Sequence, residues 1–291
     1  MRVRRSLLFI PGSDERKLAK SRALTPDAFI FDLEDGVAPD RKEEARRQVA
    51  MLLREVPPGA AERAVRLNGL KTPFFAEDLQ AIAGAQPDAL VLPKVESPEE
   101  VAAIEAAVAA AERAAGVRGP GPPLLLFIES ARGLAAAAAI ATASRRVQAL
   151  ILGHADFCKD LGVRQARATE GILLHVRCAL VLAARAAGVE AIDTIYETLG
   201  DVEGLRAEAE QAAALGFAGK LALHPAQVEP IQAAFTPSAE EVAYARRVVE
   251  GFEAAKAAGR GVFTLDGRMI DEPFVEVERR LLARARQAGL A

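Results

Sequence analysis

Only two cysteines, Cys158 and Cys178, occur in 291 residues, too few for a disulfide framework. Charge of one sign is missing as well. The 37 basic and 40 acidic residues leave a net charge of −3 with no block of like charge, so the basic stripe of a nucleic-acid binder is absent. Long hydrophobic runs are also lacking: the greasiest stretch, Leu134 to Ala143, is mostly alanine and about half a membrane span. Met1-Arg-Val-Arg-Arg5 has the basic character of a signal-peptide start. The apolar run behind it, Leu7–Ile10, is broken by Pro11-Gly12 and is too short to complete one. A soluble, cytoplasmic chain that binds neither nucleic acid nor membrane is expected. Apolar residues at 51% and charged residues at 26% are those of an ordinary folded protein and exclude a disordered one.

What the chain does have is a recurring pattern. Short runs rich in Val, Ile, Leu and Phe lie at Leu7–Ile10, Ala28–Leu33, Ala64–Leu67, Ala89–Leu92, Leu124–Ile128, Val147–Leu152, Glu190–Ile192 and Lys220–Leu223. Stretches with helical spacing separate them, and the mean interval of about 30 residues is that of a strand–helix unit. Continuous apolar strands belong to parallel sheets covered on both faces. Eight such units predict an α/β chain folded as a (β/α)8 TIM barrel. An open dinucleotide-binding sheet is disfavoured, because Gly12 stands without the rest of a G-x-G-x-x-G turn. Ser13 is expected to cap a helix starting at Asp14, and Ser97-Pro98 to start another. A barrel domain over 1–234 leaves 235–291 as a C-terminal helical and hairpin appendage, with helices at Ser238–Ala258 and Phe274–Arg286. Asp266-Gly267 between them is a hairpin turn signal.

Active sites of such barrels form where the strands end. The residues there are polar almost all the way round: Asp32, Glu34 and Asp35; Arg66 and Asn68; Lys94 and Glu96; Glu129; Asp156; Thr194; His224. Burying that many polar groups without a ligand, an ion or one another would be costly. Glu129 and Asp156 end adjacent strands, and a hard cation such as Mg²⁺ between them would relieve their repulsion. Each could instead cap a helix or pair with Arg132 or Lys159. Arg66 could hold a carboxylate or a developing oxyanion with its planar fork, or form a buried ion pair with Asp32 or Glu34. Lys94 admits two readings, a salt bridge to Glu96 or to the Asp32 cluster, or the Schiff-base lysine of an aldolase. His154, His175 and His224 lack metal-motif spacing, and His224 is expected to line the site.

Taken in order, Leu8-Phe-Ile-Pro-Gly-Ser13, Phe31-Asp-Leu-Glu-Asp-Gly-Val37, Val65-Arg-Leu-Asn-Gly69, Leu92-Pro-Lys-Val-Glu96, Phe127-Ile-Glu-Ser130, Gly153-His-Ala-Asp-Phe157 and Leu223-His-Pro225 resemble the citrate lyase beta subunit family. Malyl-CoA and citramalyl-CoA lyases are its relatives. The resemblance runs over nearly the whole chain, through Gly267-Arg-Met-Ile-Asp271. It implies a Mg²⁺-dependent carbon–carbon lyase that acts on a thioester of CoA or of an acyl carrier protein and yields a 2-oxo acid. It also implies Glu129 and Asp156 as metal ligands, with Arg66, Glu129, Ala155 and His224 in contact with substrate and Phe9 beside the CoA. Asp32, Glu34, Asp35 and Lys94 would support the metal from behind. Malyl-CoA lyases carry an arginine directly after P-G-S; this chain has Asp14, so Arg16, Lys17 or Lys20 would have to reach the carrier's phosphates. By the same resemblance the chain forms a homo-oligomer, a trimer, in which Asp271 enters a neighbour's site and exchanges a proton with the thioester enolate. The residues alone equally allow Asp271 to cap the helix after Pro273. A barrel that merely docks within a larger lyase complex is the remaining alternative.

Overall fold

A computed structural model describes residues 2–56, 58–164 and 167–290. Eight parallel strands close into a barrel in sequence order. They are β1 (Ser6–Pro11), β2 (Ala28–Asp32), β3 (Glu62–Arg66), β4 (Ala89–Leu92), β5 (Leu124–Ile128), β6 (Val147–Leu152), β7 (Glu190–Asp193) and β8 (Gly219–Ala222). The α/β barrel expected from the apolar runs is therefore present, and each expected strand matches an observed one to within two residues at either end. Helices α1 (Glu15–Ser21), α2 (Lys42–Glu55), α3 (Phe75–Ile82), α4 (Pro98–Ala114), α5 (Ala131–Ala135) and α6 (Ala137–Thr142) connect the first six strands. Then come α7 (His154–Leu161), α8 (Gly171–Ala187), α9 (Val202–Leu215) and α10 (Val228–Phe235).

Strand periodicity divides the side chains between the two faces of the sheet. Leu7, Ile30, Val91, Leu125, Phe127, Ile151, Ile192 and Leu221 fill the barrel interior, with the small Ala28, Ala64, Ala89 and Ala149 between them. Such a filled interior leaves only the strand ends for chemistry. Several helix starts follow local rules. Ser97 caps α4 and Ser130 caps α5 through their hydroxyls. At α1 the cap is Asp14, not Ser13: the Asp14 carboxylate accepts from Lys17 N at 3.0 Å while the Ser13 residue is buried. Aspartate and serine cap about equally well, so which of two adjacent residues does it is decided by where the strand lets the chain turn.

The described residues divide into two compact units, 2–232 and 233–290. In the second, α11 (Ala239–Ala257) and α12 (Glu272–Gln287) pack around a hairpin of β9 (Phe263–Leu265) and β10 (Arg268–Ile270). Val248, Phe252, Ile270 and Val275 form its small core. The hairpin turns at Asp266 (φ 50°) and Gly267 (φ 77°), the paired left-handed residues that a two-residue hairpin turn needs. Among the described residues no helix is long and apolar enough to cross a membrane.

Candidate active site

The ends of β2 and β3 are tied together by one ion pair. Arg66 donates from Nε to Asp32 Oδ1 and from Nη2 to Asp32 Oδ2, both at 2.7 Å. Its Nη1 lies 3.0 Å from Glu34 Oε2, without hydrogen-bond geometry. Phe9 and Phe127 cover the guanidinium, with ring centroids 4.7 and 5.8 Å away. The buried ion pair weighed for Arg66 is thus real, and it takes up only part of the fork. Asp32 also accepts from Glu34 N (2.9 Å) and Gly36 N (2.8 Å), which coils the acidic loop around its carboxylate. Burial would raise the pKa of Asp32, but the charge and hydrogen bonds of Arg66 outweigh it and hold the carboxyl below its ordinary value.

The next strand ends bring acids together. Lys94 takes a left-handed backbone (φ 57°), unusual outside glycine. In that conformation its N–H donates to Glu129 Oε1 at 2.7 Å and its Nζ to Glu34 Oε1 at 2.5 Å. Burial pulls the ammonium pKa down; the carboxylates of Glu34, Asp35 and Glu129 overcome that and raise it. Glu129 is only 6% exposed. Its burial, and then the negative charges of Glu34 and Asp156, push its pKa up to about 8 despite Lys94. Glu129 makes no ion pair with Arg132. Asp156, in the first turn of α7, has only Lys159 Nζ at 3.9 Å. A side chain at Gly153 would collide with the Glu129 carboxylate, so only glycine lets β6 end against it. Next to Gly153, the buried His154 places Nδ1 2.6 Å from Thr194 Oγ1, and burial lowers its pKa.

Behind the acidic loop lies a support with no counterpart in the sequence reading. Lys42, on the buried face of α2, donates to the carbonyls of Leu33 (2.6 Å) and Glu34 (2.7 Å). Asn68 bonds Leu33 O and Asp78, and Arg46 pairs with Asp78 at 2.7 Å. The signal was available: Lys42 and Arg46 fall on the same helical stripe as Val49 and Leu53, where a cation needs a buried partner.

Two cavities open at the strand ends. The larger, about 670 Å³, is lined by Phe9, Lys17, Lys20, Asp32, Asp35, Arg66, Glu129, Ala155, Asp156 and His224 together with apolar side chains from β1, β6 and β8 and Ile195 just past β7. All but four of the expected site residues therefore meet on one wall. Glu34 is buried behind it, Lys94 faces the second cavity, and Arg16 is not on it. Asp271 belongs to the second unit. There it holds the N-cap position of α12 but makes no cap hydrogen bond, and its buried Oδ1 has no hydrogen-bond partner. The helix-cap reading of Asp271 is thereby weakened. His224 accepts from Ala226 N (3.2 Å) while lining the cavity. The second cavity, about 510 Å³, shares only Glu129 and Asp156 with the first.

Among the described residues no group of three or more His, Cys, Asp or Glu is arranged to hold a metal ion. A pair of carboxylates is nonetheless what a hard, strongly hydrated cation needs, since Mg²⁺ commonly takes one or two and fills its other positions with water and substrate. The buried Glu129 and the half-buried Asp156 that repels it fit that requirement, because a cation is what would allow Glu129 to ionise near neutral pH.

The structure is thus a closed (β/α)8 barrel with an acidic, arginine-bearing mouth, and comparison with known proteins says which family of such barrels it joins. The family model for HpcH/HpaI aldolase/citrate lyase matches residues 5–225, and the chain belongs to that family. It is 40% identical over 282 residues to (3S)-malyl-CoA thioesterase of Cereibacter sphaeroides, covering 97% of this chain and 94% of that protein. It is 38% identical over 287 residues to citrate lyase subunit beta of Haemophilus influenzae, covering 98% of both. Among solved structures, CitE of Mycobacterium tuberculosis in complex with magnesium, acetoacetate and coenzyme A superposes with a TM-score of 0.79 at 34% identity, covering 98% of this chain and all of that one.

Proposed function

We propose that this protein is a Mg²⁺-dependent carbon–carbon lyase that splits a 3-hydroxy-3-carboxyacyl thioester into an acetyl thioester and a 2-oxo acid. The observation that carries the reading is the pair Glu129 and Asp156, set into a strand-end cavity beside Arg66, with the Glu129 carboxyl pushed up to about 8 by burial and by its acidic neighbours despite Lys94. Glu129 and Asp156 would hold Mg²⁺, which would supply Lewis-acid stabilisation of the negative charge that develops on a substrate oxygen.

The chain's own residues do the rest. Arg66, fixed by Asp32 and stacked on Phe9, turns its remaining N–H groups to the same oxygen with little reorganisation. Lys94 and Glu34 hold Glu129 in place. Phe9 and the apolar wall take the thioester arm and exclude water, Ala155 and His224 border the acyl group, and Lys17 and Lys20 meet the carrier's phosphates. As the C–C bond breaks, the hydroxyl carbon becomes the carbonyl carbon of the 2-oxo acid. The bonding pair goes to the thioester α-carbon, and the proton lost from the hydroxyl is matched by one delivered there. Asp271 of a neighbouring copy, in a cytoplasmic homotrimer, delivers it. Its unpartnered Oδ1 favours this role over a helix cap.

A Schiff-base aldolase is disfavoured, since Lys94 is tied to Glu34 and held protonated, the wrong state for a nucleophile. The test is an assay of purified protein with malyl-, citramalyl- and citryl-CoA, with and without Mg²⁺. Acetyl-CoA and a 2-oxo acid should form only with the metal. Turnover that survives chelation would overturn the reading, and release of free CoA would point to hydrolysis. Complete inactivity would leave the chain as a docking subunit.

A further inference from the structure

The two cavities meet at Glu129 and Asp156 and nowhere else, and their walls differ in kind. The larger is walled by Phe9, Ile10, Leu152, Ile195 and Leu221, and beyond the shared pair it sets Lys17, Lys20 and Arg66 against Asp32 and Asp35. The smaller has one large apolar side chain, Leu70, and beyond the shared pair it carries Glu96, Glu100 and Asp160. Each of its three lysines lies near a carboxylate: Lys71 sits 2.6 Å from Glu100, Lys94 is paired with Glu34, and Lys159 lies 3.9 Å from Asp156, so acids still outnumber lysines on this wall.

We infer that the divalent cation enters and leaves the site through this second, acidic cavity, so that metal exchange stays open while the thioester fills the first. The inference rests on the metal reading above. Mg²⁺ sheds its water reluctantly and therefore travels hydrated. Six waters take up roughly 180 Å³ at their share of liquid volume. A space of about 510 Å³ passes such an ion with its shell intact, whereas a thioester filling the first cavity would block that way in. An acid-lined cleft also concentrates cations and speeds their arrival, by roughly 10- to 1000-fold in favourable cases.

The test uses Mn²⁺, which takes the same oxygen ligands. Equilibrium binding is read by electron paramagnetic resonance, and release by stopped-flow trapping in a fluorescent chelator. Thr72→Trp narrows the second cavity and Leu199→Trp the first; Lys71→Trp, at the exposed rim, is the second plug if Thr72→Trp does not fold. Narrowing the second cavity should slow both entry and release at least tenfold with equilibrium affinity unchanged, while Leu199→Trp leaves both rates within twofold. Slowing by Leu199→Trp but by neither plug of the second cavity would overturn the route. A different result, wild-type Mn²⁺ affinity at equilibrium in both Glu129→Ala and Asp156→Ala, would remove the metal reading itself and the route with it.

Discussion

Asp193 and Glu129 are both buried carboxylates near strand ends of one barrel, yet their surroundings drive them in opposite directions. Asp193, on the outer side of β7, receives Arg177 on both oxygens at 3.0 Å and Lys220 on Oδ2 at 2.7 Å. Lys220 also reaches Glu208 at 2.7 Å, so two cations face two carboxylates with none left over. Burial would raise the pKa of Asp193; Lys220 and Arg177 lower it further than burial lifts it. At the mouth, the carboxylates of Asp32, Glu34, Asp35, Glu129 and Asp156 outnumber the cations paired with them, Arg66, Lys94 and, 3.9 Å from Asp156, Lys159, and Glu129 is pushed up to about 8. Balanced charge locks α8 and α9 onto the barrel. Unbalanced charge costs stability, and a barrel that keeps it at the strand ends keeps it for a ligand.

Breaking the balanced cluster should have the largest effect. Lys220→Met leaves Glu208 without its cation and Asp193 with only one, and losing one partner of a buried pair costs about 3–5 kcal/mol. Urea denaturation measures it. A loss below 1 kcal/mol would mean that water or a rearranged Arg177 replaces the lysine.

At the mouth, Arg66→Lys keeps the charge but cannot bond both oxygens of Asp32 and donate to substrate at once. Turnover should fall by roughly 100-fold or more, with a much smaller change in stability. Equal kcat in the two proteins would reduce Arg66 to a structural ion pair.

The third prediction turns on the sign of the two shifts. The folded protein holds the Glu129 proton that the unfolded chain releases near its ordinary value of 4.5. Stability from this group is therefore full below pH 4.5 and is lost as the pH rises through about 8. Asp193 behaves oppositely, contributing above its ordinary value and losing its share in acid. Metal-free protein should accordingly be less stable at pH 9 than at pH 6, and Glu129→Gln should remove most of that slope. Thermal melts of both proteins at both pH values read it directly. An unchanged slope in the variant would mean that Glu129 is not the group under strain.

The smallest stability effect belongs to Asp271→Ala, well under the ~1 kcal/mol of a lost helix cap because no cap bond exists to lose. Its activity should nonetheless collapse and return when the variant is co-refolded with Glu129→Ala chains, since mixed oligomers then contain intact sites. Undiminished turnover by Asp271→Ala alone would end the catalytic role.

How much of this could be read from the sequence follows the range of the interactions involved. The strands were legible because Leu124-Leu-Leu-Phe-Ile128 and its counterparts carry their burial in consecutive residues. The hairpin was legible because Asp266-Gly267 is a local turn signal. Glu129 and Asp156 could be singled out by position alone, since strand order puts them side by side. What stayed hidden needs distances across the chain. The choice of Asp32 by Arg66 spans 34 residues, and the hold of Lys94 on Glu34 spans 60. The left-handed backbone of Lys94 has no sequence signature at all, because lysine rarely adopts it.

The central claim is that the unbalanced carboxylates at the mouth are a Mg²⁺ site. Calorimetric titration of Mg²⁺ at pH 7, repeated in two buffers of different ionisation enthalpy, tests it most directly. Wild-type protein should bind the ion and release protons as it does so, because Glu129 must ionise to become a ligand, and Glu129→Ala should bind none. Equal Mg²⁺ affinity in the two proteins, with no proton release in either, would contradict the account.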